Sequence, residues 1–294
     1  MKLGIMGAGI IGSATGRVLR RKHEIMYYDK FKPEYQDISR IANEAEVTFT
    51  CVPTPMKPSG EMDYSAIHNS LDFLLENVLK SKRNPRDIIS VIRSTAVSGT
   101  TDKLAQRYPF RFAFNPEFLR ERHAEEDMTA TSRIVIGANS QEVSDTLLVM
   151  YKEVFPAAEY FCTDIKTAEM IKYAANVTLA AQIAIANEIY QICQAVGVDY
   201  GLVRNIILLD KRIGGNTEVP GPDGDFGFGG KCFPKDINAL IHLAREHHFR
   251  PYLLEEIWRS NLAVRKGRDW LNITGATTQN MENFTVYDNF VKNP

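Results

Sequence analysis

The sequence predicts an α/β fold in which a doubly wound, mostly parallel sheet precedes an all-helical region. From Met1 to about Phe161, short apolar runs rich in β-branched and aromatic residues alternate with helix-patterned segments such as 10–21 and 65–79. This alternation is typical of repeated βαβ units, because each helix covers one face of the sheet between two parallel strands. The runs expected to form strands are 3–6, 24–28, 47–52, 88–92, 111–114 and 134–136.

A change of pattern after Phe161 predicts the helical region. Thr163 or Asp164 can cap a segment that stays helix-compatible, rich in Ala and free of Gly and Pro, to about Ala195. Gly197 can end that helix, because glycine readily adopts the left-handed conformation that follows many helices.

The remaining sequence contains one long loop and two further helical patterns. The loop at 210–231 is loaded with Gly, Pro and Asp, and the helical patterns follow at 234–247 and 252–271. In the polar C-terminal segment the apolar residues show neither the helical nor the strand periodicity, so we expect it to be loosely ordered or docked on a partner. The predicted parts are a sheet domain at 1–161, a helical domain at 162–271 and a tail at 272–294.

Composition and charge exclude several classes of function. The 294 residues include 35 basic and 36 acidic side chains, so the net charge of -1 gives no reason to expect a nucleic acid or an anionic membrane as partner. The N-terminal residues lack the apolar stretch of a secretory signal, and no segment is apolar for long enough to span a bilayer. We expect a cytoplasmic protein that acts on a small molecule.

The four cysteines form no CxxC pair and show no metal-ligand spacing. This usage fits a reducing compartment and predicts no metal site. Cys51, Cys162 and Cys193 lie in apolar strand or helix patterns, so we expect them to be small buried side chains. Cys232 has different surroundings and needs a separate interpretation.

A glycine motif follows the first predicted strand. Gly7, Gly9 and Gly12 spell GxGxxG, and the predicted helix begins at Ile10 and Ile11. The first glycine allows a tight turn, the second lets backbone approach a pyrophosphate, and the third lets the helix pack against the strand. Because a helix N-terminus offers amide donors to an anion, this stretch predicts a Rossmann-type dinucleotide site.

The end of the second predicted strand indicates which dinucleotide is bound. Asp29 is placed to accept hydrogen bonds from the adenine ribose hydroxyls, and it would repel the additional phosphate of NADP. Lys30 and Lys32 weaken that preference slightly. NAD is therefore the predicted cofactor.

Polar residues follow two other predicted strands. Thr54, Ser94 and Thr95 stand at strand ends, and ligands of open α/β sheets bind outside the carboxyl ends of the strands. These residues are candidates to line the nicotinamide side of the cofactor. Each could equally be a cap or a turn former, as Ser and Thr commonly are.

Cys232 lies in the loop FGFGGKCFPKD at the predicted start of a helix. Lys231, Lys235 and Asp236 surround it in the sequence. Amide dipoles and cations stabilise a thiolate, so a cysteine placed here is expected to have a lowered pKa. This environment favours a nucleophile over a buried structural cysteine.

Several separated motifs make the chain resemble the UDP-glucose and GDP-mannose dehydrogenases over about residues 1–271. They occur in the order and with the spacing of that family. The resemblance implies a NAD-dependent oxidation of a primary alcohol on a nucleotide sugar to a carboxylate, with two NAD consumed per sugar. The motifs are the glycine turn at Gly7, Thr54, Ser94-Thr95, NPEFLRE at 115–121, EMIKYAAN at 169–176, DKRIG at 210–214 and CFPKD at 232–236.

The resemblance also implies catalytic roles for five residues. Cys232 captures the aldehyde as a thiohemiacetal, which a second hydride transfer converts to a thioester. Glu117 acts as general base when water hydrolyses the thioester. Lys172 and Asn176, four residues apart on one predicted helix, attend the developing charge at the reacting carbon. Asp236 orients the catalytic water or the sugar.

Further binding roles come from the same resemblance. Glu121 lies near the nicotinamide, and Lys235 reaches the cofactor. Arg212 matches an arginine that reaches the substrate of the neighbouring subunit, which implies a homodimer built on the helical domain. The residues expected to contact the substrate are Phe118, Leu119, Arg120, Lys172, Asn176, Arg212 and Gly229.

Two departures from the family pattern keep alternatives open. The loop between Arg212 and Cys232 is a few residues longer than expected, with the surplus around 219–225. The family also carries a second dinucleotide-fold domain, which grips the nucleotide, where this chain has only its short tail. The alternatives are the same chemistry on a smaller hydroxymethyl compound, or a non-catalytic NAD-binding remnant. The five catalytic candidates argue against a remnant, which has no physical need to keep them together.

Overall fold

The computed structural model describes residues 1–215 and 217–278, so most of the predicted tail at 272–294 lies outside the described residues. The chain forms two compact units. Unit 1 comprises Met1–Thr54 and Tyr64–Lys172, and unit 2 comprises Pro55–Asp63 and the described residues from Tyr173 onward.

Unit 1 is built on one sheet. In the described residues this sheet has seven strands, and the predicted apolar runs account for six of them. The strands are β1 (Lys2–Met6), β2 (Glu24–Tyr28), β3 (Val47–Thr50), β4 (Ile89–Ile92), β5 (Arg111–Phe114), β6 (Arg133–Ala138) and β7 (Glu159–Thr163).

The described residues also form ten α-helices. Six belong to unit 1, the seventh contains the boundary between the two units, and three belong to unit 2. The helices are α1 (Ile10–Leu19), α2 (Ser39–Glu44), α3 (Ser65–Lys80), α4 (Thr100–Arg107), α5 (Ala124–Thr129), α6 (Gln141–Val154), α7 (Ile165–Val196), α8 (Tyr200–Ile207), α9 (Phe233–Glu246) and α10 (Tyr252–Val264).

The strand order confirms the predicted doubly wound α/β fold. The order is β2-β1-β3-β4-β5-β6-β7, and every neighbouring pair is parallel except β5 and β6. The order reverses between β1 and β3, which defines a topological switch point. Ligands of such sheets bind in the crevice at this point, and the loop after Met6 and the loop after Thr50 flank it.

Apolar clusters cover both faces of the sheet. On one face, α2, α3, α4 and the first turns of α7 pack against Met6, Ile92 and Phe114. On the other face, α1, α5 and α6 pack against Leu3 and Phe49. Unit 2 has its own core, formed by the second half of α7 with α9 and α10. No helix of the described residues combines the length and apolar character needed to cross a membrane.

The structure corrects several sequence-based expectations. The seventh strand, β7, was not expected; it lies at the edge of the sheet and its side chains are mostly exposed. Cys162 lies on this strand and is exposed, so the expectation that it is buried is wrong. Helix α8 was also not expected. The predicted helix at 252–271 ends at Val264 and continues only as a 3-10 turn at Asp269–Leu271.

Other local expectations are confirmed. Asp164 caps α7, since its carboxylate accepts from the backbone N–H of Thr167 at 2.9 Å. Gly197 follows α7 with a φ of +72°. Cys193 is buried as expected, whereas Cys51 is half-buried, although burial of its thiol raises its pKa to about 12.

Candidate active site

The glycine turn of unit 1 has the geometry that the motif predicts. Gly7 adopts a φ of +100°, and a Cβ at Gly12 would lie 1.9 Å from the backbone oxygen of Gly7. At Gly9, by contrast, a Cβ would meet no atom within 4 Å. Packing therefore requires the first and third glycines, whereas the second leaves open space beside the backbone, as a bound pyrophosphate needs.

Helix α1 leaves its N-terminal amides available to an anion. No side chain caps its first turn, and no acidic residue lies in that turn. The first helical residues are Ile10, Ile11 and Gly12, whose N–H groups have no partner in the preceding turn of a helix. This N-terminus therefore fits the diphosphate of a dinucleotide.

Asp29 lies beside this turn. Its Oδ2 accepts from the backbone N–H of Ala8 at 2.8 Å, and its Oδ1 accepts from the N–H of Phe31 at 2.9 Å. The Lys32 ammonium donates to the backbone oxygen of Ala8 at 2.6 Å, while Lys30 lies over the ring of Phe31. The carboxylate is thereby fixed at the end of β2, where the ribose of a dinucleotide is expected.

The ends of β3 and β4 are tied together by Ser94. Its hydroxyl donates to the backbone oxygen of Val52 at 2.7 Å and accepts from the N–H of the same residue at 2.9 Å. Thr54 is buried and Thr95 is half-buried next to Ser94. Ser94 therefore has a turn-forming role, which was one of the two interpretations of these strand-end residues.

The loop after β4 is also held by Glu169 of α7. This fully buried carboxylate accepts from the backbone N–H of Gly99 at 2.6 Å and of Thr101 at 2.8 Å. Burial raises the pKa of Glu169 to about 7, although these two donors oppose the increase and the charge of Asp102 adds to it. The first turns of α7 therefore hold the start of α4 in place.

Glu117 and Lys172 form a buried ion pair in unit 1. The Lys172 ammonium donates to Oε1 of Glu117 at 2.8 Å and to its backbone oxygen at 2.6 Å. Glu117 also accepts from the N–H of Leu119 at 2.8 Å. Burial alone would raise the pKa of the Glu117 carboxyl, but the charge and hydrogen bonds of Lys172 hold it below its usual value. The structure therefore brings together two of the predicted catalytic residues.

The residues after Glu117 have mixed surroundings. Phe118 lies between two cations, with Arg133 at 4.3 Å and Lys172 at 5.8 Å from its ring. The exposed Arg120 is predicted to bind substrate, but its guanidinium bonds Asp127 at 2.7 and 3.0 Å. Glu121 begins a 3-10 turn and is exposed.

In unit 2, Asn176 and Asp236 meet at the start of α9. The Asn176 amide donates to Oδ2 of Asp236 at 2.5 Å, and the Lys235 ammonium donates to Oδ1 of the same carboxylate. Asn176, Lys235 and Asp236 are all buried. Asp236 also lies one helical turn beyond Cys232, and its N–H donates to the Cys232 backbone oxygen at 2.8 Å.

Cys232 takes the N-cap position of α9, as the sequence predicts. The helix begins at Phe233, and Cys232 is half-buried. The glycines before it differ in their surroundings. A Cβ at Gly229 would lie 2.0 Å from a guanidinium nitrogen of Arg265, whereas a Cβ at Gly230 would meet no atom within 4 Å. Gly229, predicted to contact substrate, therefore also has a packing reason to be glycine.

Arg212 lies apart from these clusters. Its side chain is 88% exposed and pairs with Asp210 at 2.5 Å. Arg212 is therefore a surface residue in the described part of the chain. Among the described residues, no group of three His, Cys, Asp or Glu side chains could hold a metal ion.

Sequence reasoning missed the buried hydrogen bonds of four residues. Glu169 was seen only as part of a motif, although an acid inside an apolar helix pattern signals a buried partner. Arg93 was not considered, yet it is buried and donates to the side chain of Asn115. Asn187 and Asn261 carried no signal, because a lone asparagine in a helix is usually a surface residue.

Two models of one protein family match this chain. The model described as "UDP-glucose/GDP-mannose dehydrogenase family, NAD binding domain" matches residues 30–155. The model of the same family's central domain matches residues 166–263. Together these two matches cover most of both units.

Curated relatives and a solved structure extend the comparison. The UDP-glucose 6-dehydrogenase of Rickettsia felis is 37% identical over 223 residues, which is 74% of this chain and 48% of that protein. The UDP-glucose 6-dehydrogenase YwqF of Bacillus subtilis is 36% identical over 228 residues, which is 74% of this chain and 49% of that protein. This chain thus spans about half the length of the curated relatives it matches. A UDP-glucose dehydrogenase structure from Pyrobaculum islandicum aligns with a TM-score of 0.79 and 28% identity, covering 89% of this chain and 68% of that one.

Proposed function

We propose, from the premise that this chain belongs to the UDP-glucose/GDP-mannose dehydrogenase family, that it oxidises the primary alcohol of a nucleotide sugar to a carboxylate. Cys232 is the covalent nucleophile in this proposal. The observation that carries it is the placement of this cysteine at the first turn of α9, one turn before a buried carboxylate that Asn176 and Lys235 bind. NAD is the oxidant, and the open space at Gly9 and the uncapped start of α1 fit it.

The reaction balances as two hydride transfers and one hydrolysis. The alcohol first loses a hydride to NAD and a proton to solvent, which gives an aldehyde. The Cys232 sulfur adds to the aldehyde carbon, and the resulting thiohemiacetal loses a second hydride to a second NAD and another proton, leaving a thioester. Water then attacks the thioester carbon, the carbon–sulfur bond breaks, and the carboxylate leaves with the thiol regenerated.

The polar residues have distinct roles in this scheme. The Lys172 ammonium, which is hydrogen-bonded to Glu117, and the Asn176 amide donate to oxygen as negative charge develops at the reacting carbon. The Glu117 carboxylate, whose pKa is below its usual value, accepts a proton from water during hydrolysis. Asp236 orients that water or the sugar. Phe118, Leu119, Arg120 and Gly229 contact the substrate, and Thr54, Thr95, Glu121 and Lys235 contact the cofactor.

The domain organisation follows the same proposal. We assign cofactor binding to residues 1–161, and the nucleophile loop with the subunit contact to residues 162–271. The alternative substrate, a smaller hydroxymethyl compound oxidised by the same chemistry, is distinguished by the choice of test compounds.

The test measures NADH formation with UDP-glucose, GDP-mannose, free glucose and simple alcohols. We expect turnover with a nucleotide sugar and two NADH per carboxylate formed. Cys232→Ala should abolish turnover, whereas Cys162→Ala, which removes an exposed cysteine, should leave it unchanged. In Cys232→Ser the acyl group should remain on the introduced serine in a mass spectrum, because an ester is a poorer acyl donor than a thioester.

Each alternative has its own outcome in this panel. Turnover of the small alcohols alone would replace the nucleotide-sugar substrate with a smaller hydroxymethyl compound. NAD binding without turnover of any compound would indicate a binding remnant. Full activity of Cys232→Ala would remove the covalent role of that residue.

A homodimer completes the proposal. The part of α7 that belongs to unit 2 and helix α8 carry apolar side chains at helical spacing, each more than half exposed. Burying them against a second copy would remove apolar area from water. Arg212 then serves the neighbouring subunit's substrate. The side chains are Ile185, Ile192, Val196, Leu202 and Ile206.

Mixing two inactive variants tests this arrangement. Arg212→Ala and Cys232→Ala subunits should regain activity when combined, because a mixed dimer contains one complete site. An active monomer in sedimentation, or no recovery despite confirmed subunit exchange, would contradict it.

A further inference from the structure

The backbone of the segment before Cys232 is bound by side chains from three places in unit 2. Asn187 of α7 accepts from the N–H of Gly227 at 2.9 Å. Asp269, in the 3-10 turn after α10, accepts from the N–H of Gly230 at 2.8 Å. Loop backbone is usually free to move, so these fixed hydrogen bonds restrict the segment on both sides of Phe228.

Asn261 of α10 makes the central contact. Its Oδ1 accepts from the N–H of Phe228 at 2.7 Å, and its Nδ2 donates to the backbone oxygen of Phe228 at 3.0 Å. The amide of Asn261 is therefore bound at both ends by one residue. Both groups are almost completely buried, so an unpaired N–H or oxygen here would cost free energy.

The side chain of Phe228 anchors the same point. It is 2% exposed and belongs to the apolar core of unit 2, where its ring centroid lies 6.3 Å from that of Trp258. The backbone of Phe228 is thus fixed by Asn261 and its ring by the core. Four residues further along the chain is Cys232.

The glycines of the segment fit these side chains. Gly227 has a φ of +65°, and a Cβ there would lie 2.2 Å from Oδ1 of Asn261. Arg265 completes the contact set by donating to the backbone oxygen of Phe226 at 3.2 Å and to Asp269 at 3.0 Å. The side chains that bind the loop therefore require glycine in this segment, in addition to any ligand that approaches it.

We infer that Asn261 is a positioning residue for the nucleophile, because it fixes the backbone of Phe228 and thereby the path of the chain to Cys232. This inference rests on the proposed function. A displacement of about 1 Å at a reacting group lowers rates by roughly 100-fold. Asn261 itself touches neither substrate nor cofactor in this inference, and it acts only through the loop.

The first test compares Asn261→Ala with a matched control. Glu255→Gln also alters a buried polar residue of α10, whose carboxylate binds Arg245 and Arg250, but it does not contact the loop. We expect kcat to fall about 100-fold in Asn261→Ala, with KM for both substrates within a few-fold of the parent value. Glu255→Gln should lower the thermal midpoint yet keep kcat. Equal kcat values in the two variants would overturn the inference.

The conservative variant Asn261→Asp separates positioning from simple loss of stability. A protonated carboxyl can accept from the Phe228 N–H and donate to its oxygen, whereas an ionised carboxylate cannot donate. The kcat of this variant, relative to the parent at the same pH, should therefore rise as pH falls. A ratio that stays constant with pH, in a protein that remains folded, would also overturn the inference.

A third measurement keeps this result distinct from the proposed function. Alkylation of Cys232 by iodoacetamide, followed by mass spectrometry in a Cys162→Ser background, requires no substrate. In Asn261→Ala the rate of alkylation at a fixed pH should rise several-fold, because the segment that leads to the half-buried Cys232 is no longer held at Phe228 and opens more often. This increase is expected even if Cys232→Ala retains activity and the covalent role fails. An unchanged rate of alkylation would contradict the positioning of Cys232 by Asn261.

Discussion

Glu117 and Glu169 are both buried acids of unit 1, yet the pKa values of their carboxyl groups move in opposite directions. Burial favours the uncharged form of each. At Glu117, the Lys172 ammonium 2.8 Å away outweighs burial and lowers the pKa. At Glu169, the N–H groups of Gly99 and Thr101 do not outweigh burial, and the pKa rises to about 7.

The difference shows what is needed to keep an acid ionised inside this unit. A full positive charge reverses the effect of burial, whereas two backbone dipoles only reduce it. Glu117 therefore remains a carboxylate at neutral pH, the form that can accept a proton from water. Glu169 changes its charge close to neutral pH, and it does so while bound to the start of α4.

Removing the cation should produce the largest effect. Lys172→Met leaves the Glu117 charge buried without compensation, so the free energy of unfolding at pH 7 should fall by about 3–5 kcal/mol. Denaturant unfolding measures this loss. Lys166→Met is the matched control, because Lys166 lies on the same helix but is 64% exposed and 3.9 Å from its acidic partner, so its loss should change stability by less than about 0.5 kcal/mol.

The double variant Lys172→Met/Glu117→Gln sharpens this result. Without the buried charge, roughly half of the lost stability should return, since much of the penalty is the uncompensated carboxylate. Additive losses in the double variant would mean that the two residues do not interact as the 2.8 Å contact indicates.

The second prediction concerns Glu169 and stability between pH 4.5 and 7. A carboxyl whose pKa is raised by folding binds its proton more tightly in the folded state. The free energy of unfolding therefore decreases as pH rises from 4.5 toward 7 and is constant above that range. The decrease should be on the order of 2–3 kcal/mol. Glu169→Gln should remove this slope, which unfolding curves at several pH values will show. If the free energy of unfolding of Glu169→Gln depends on pH as steeply as that of the parent protein, groups other than Glu169 cause the slope.

The charged groups that face Glu169 have to be considered in that experiment. Asp102 raises the pKa of Glu169, and Lys166 lies 3.9 Å from Asp102. Asp102→Asn should therefore move the slope to lower pH without removing it. A slope that moves to lower pH but does not disappear would show that Glu169 is the group that titrates.

The sequence predicted elements whose signals are local. Six strands had continuous apolar runs, the glycine turn had its motif, and Cys232 had a helix start beside it. Edge strand β7 was missed although it contains Tyr160, Phe161 and Cys162, because three apolar residues at the end of the alternating region do not distinguish a strand from a loop. Helix α8 was missed because eight residues are too few to show a clear helical periodicity of apolar side chains.

The partners of the buried acids could not be predicted from local signals. Lys172 and Glu117 are 55 residues apart, and their contact depends on how α7 packs on the sheet. The motifs placed both residues among the catalytic candidates, but only the fold shows that they bind each other. Asn261 and Phe228 are similarly 33 residues apart. Long-range pairs of this kind follow from packing and not from the pattern of either segment.

The smallest predicted effect concerns the free energy of unfolding at acid pH. The two glutamates should change it in opposite directions and over different ranges of pH. The pKa of Glu117 is lower in the folded state than its ordinary value of 4.5. The contribution of Glu117 to the free energy of unfolding is therefore present above pH 4.5 and is lost as pH falls through the lower pKa of the folded state. Because desolvation offsets much of the attraction between Glu117 and Lys172, we expect Glu117 to contribute about 1 kcal/mol to the free energy of unfolding. Unfolding between pH 3 and 5 should be less steeply pH-dependent in Glu117→Gln than in the parent protein. Other acids with lowered pKa values, such as Asp127, remain in both proteins and cancel in the difference. Glu169→Gln should leave the part of this range below about pH 4 unchanged, because Glu169 is protonated there in both the folded and the unfolded state. If both substitutions flattened the same range, the two carboxyl groups would not be held in the opposite states that their different partners imply.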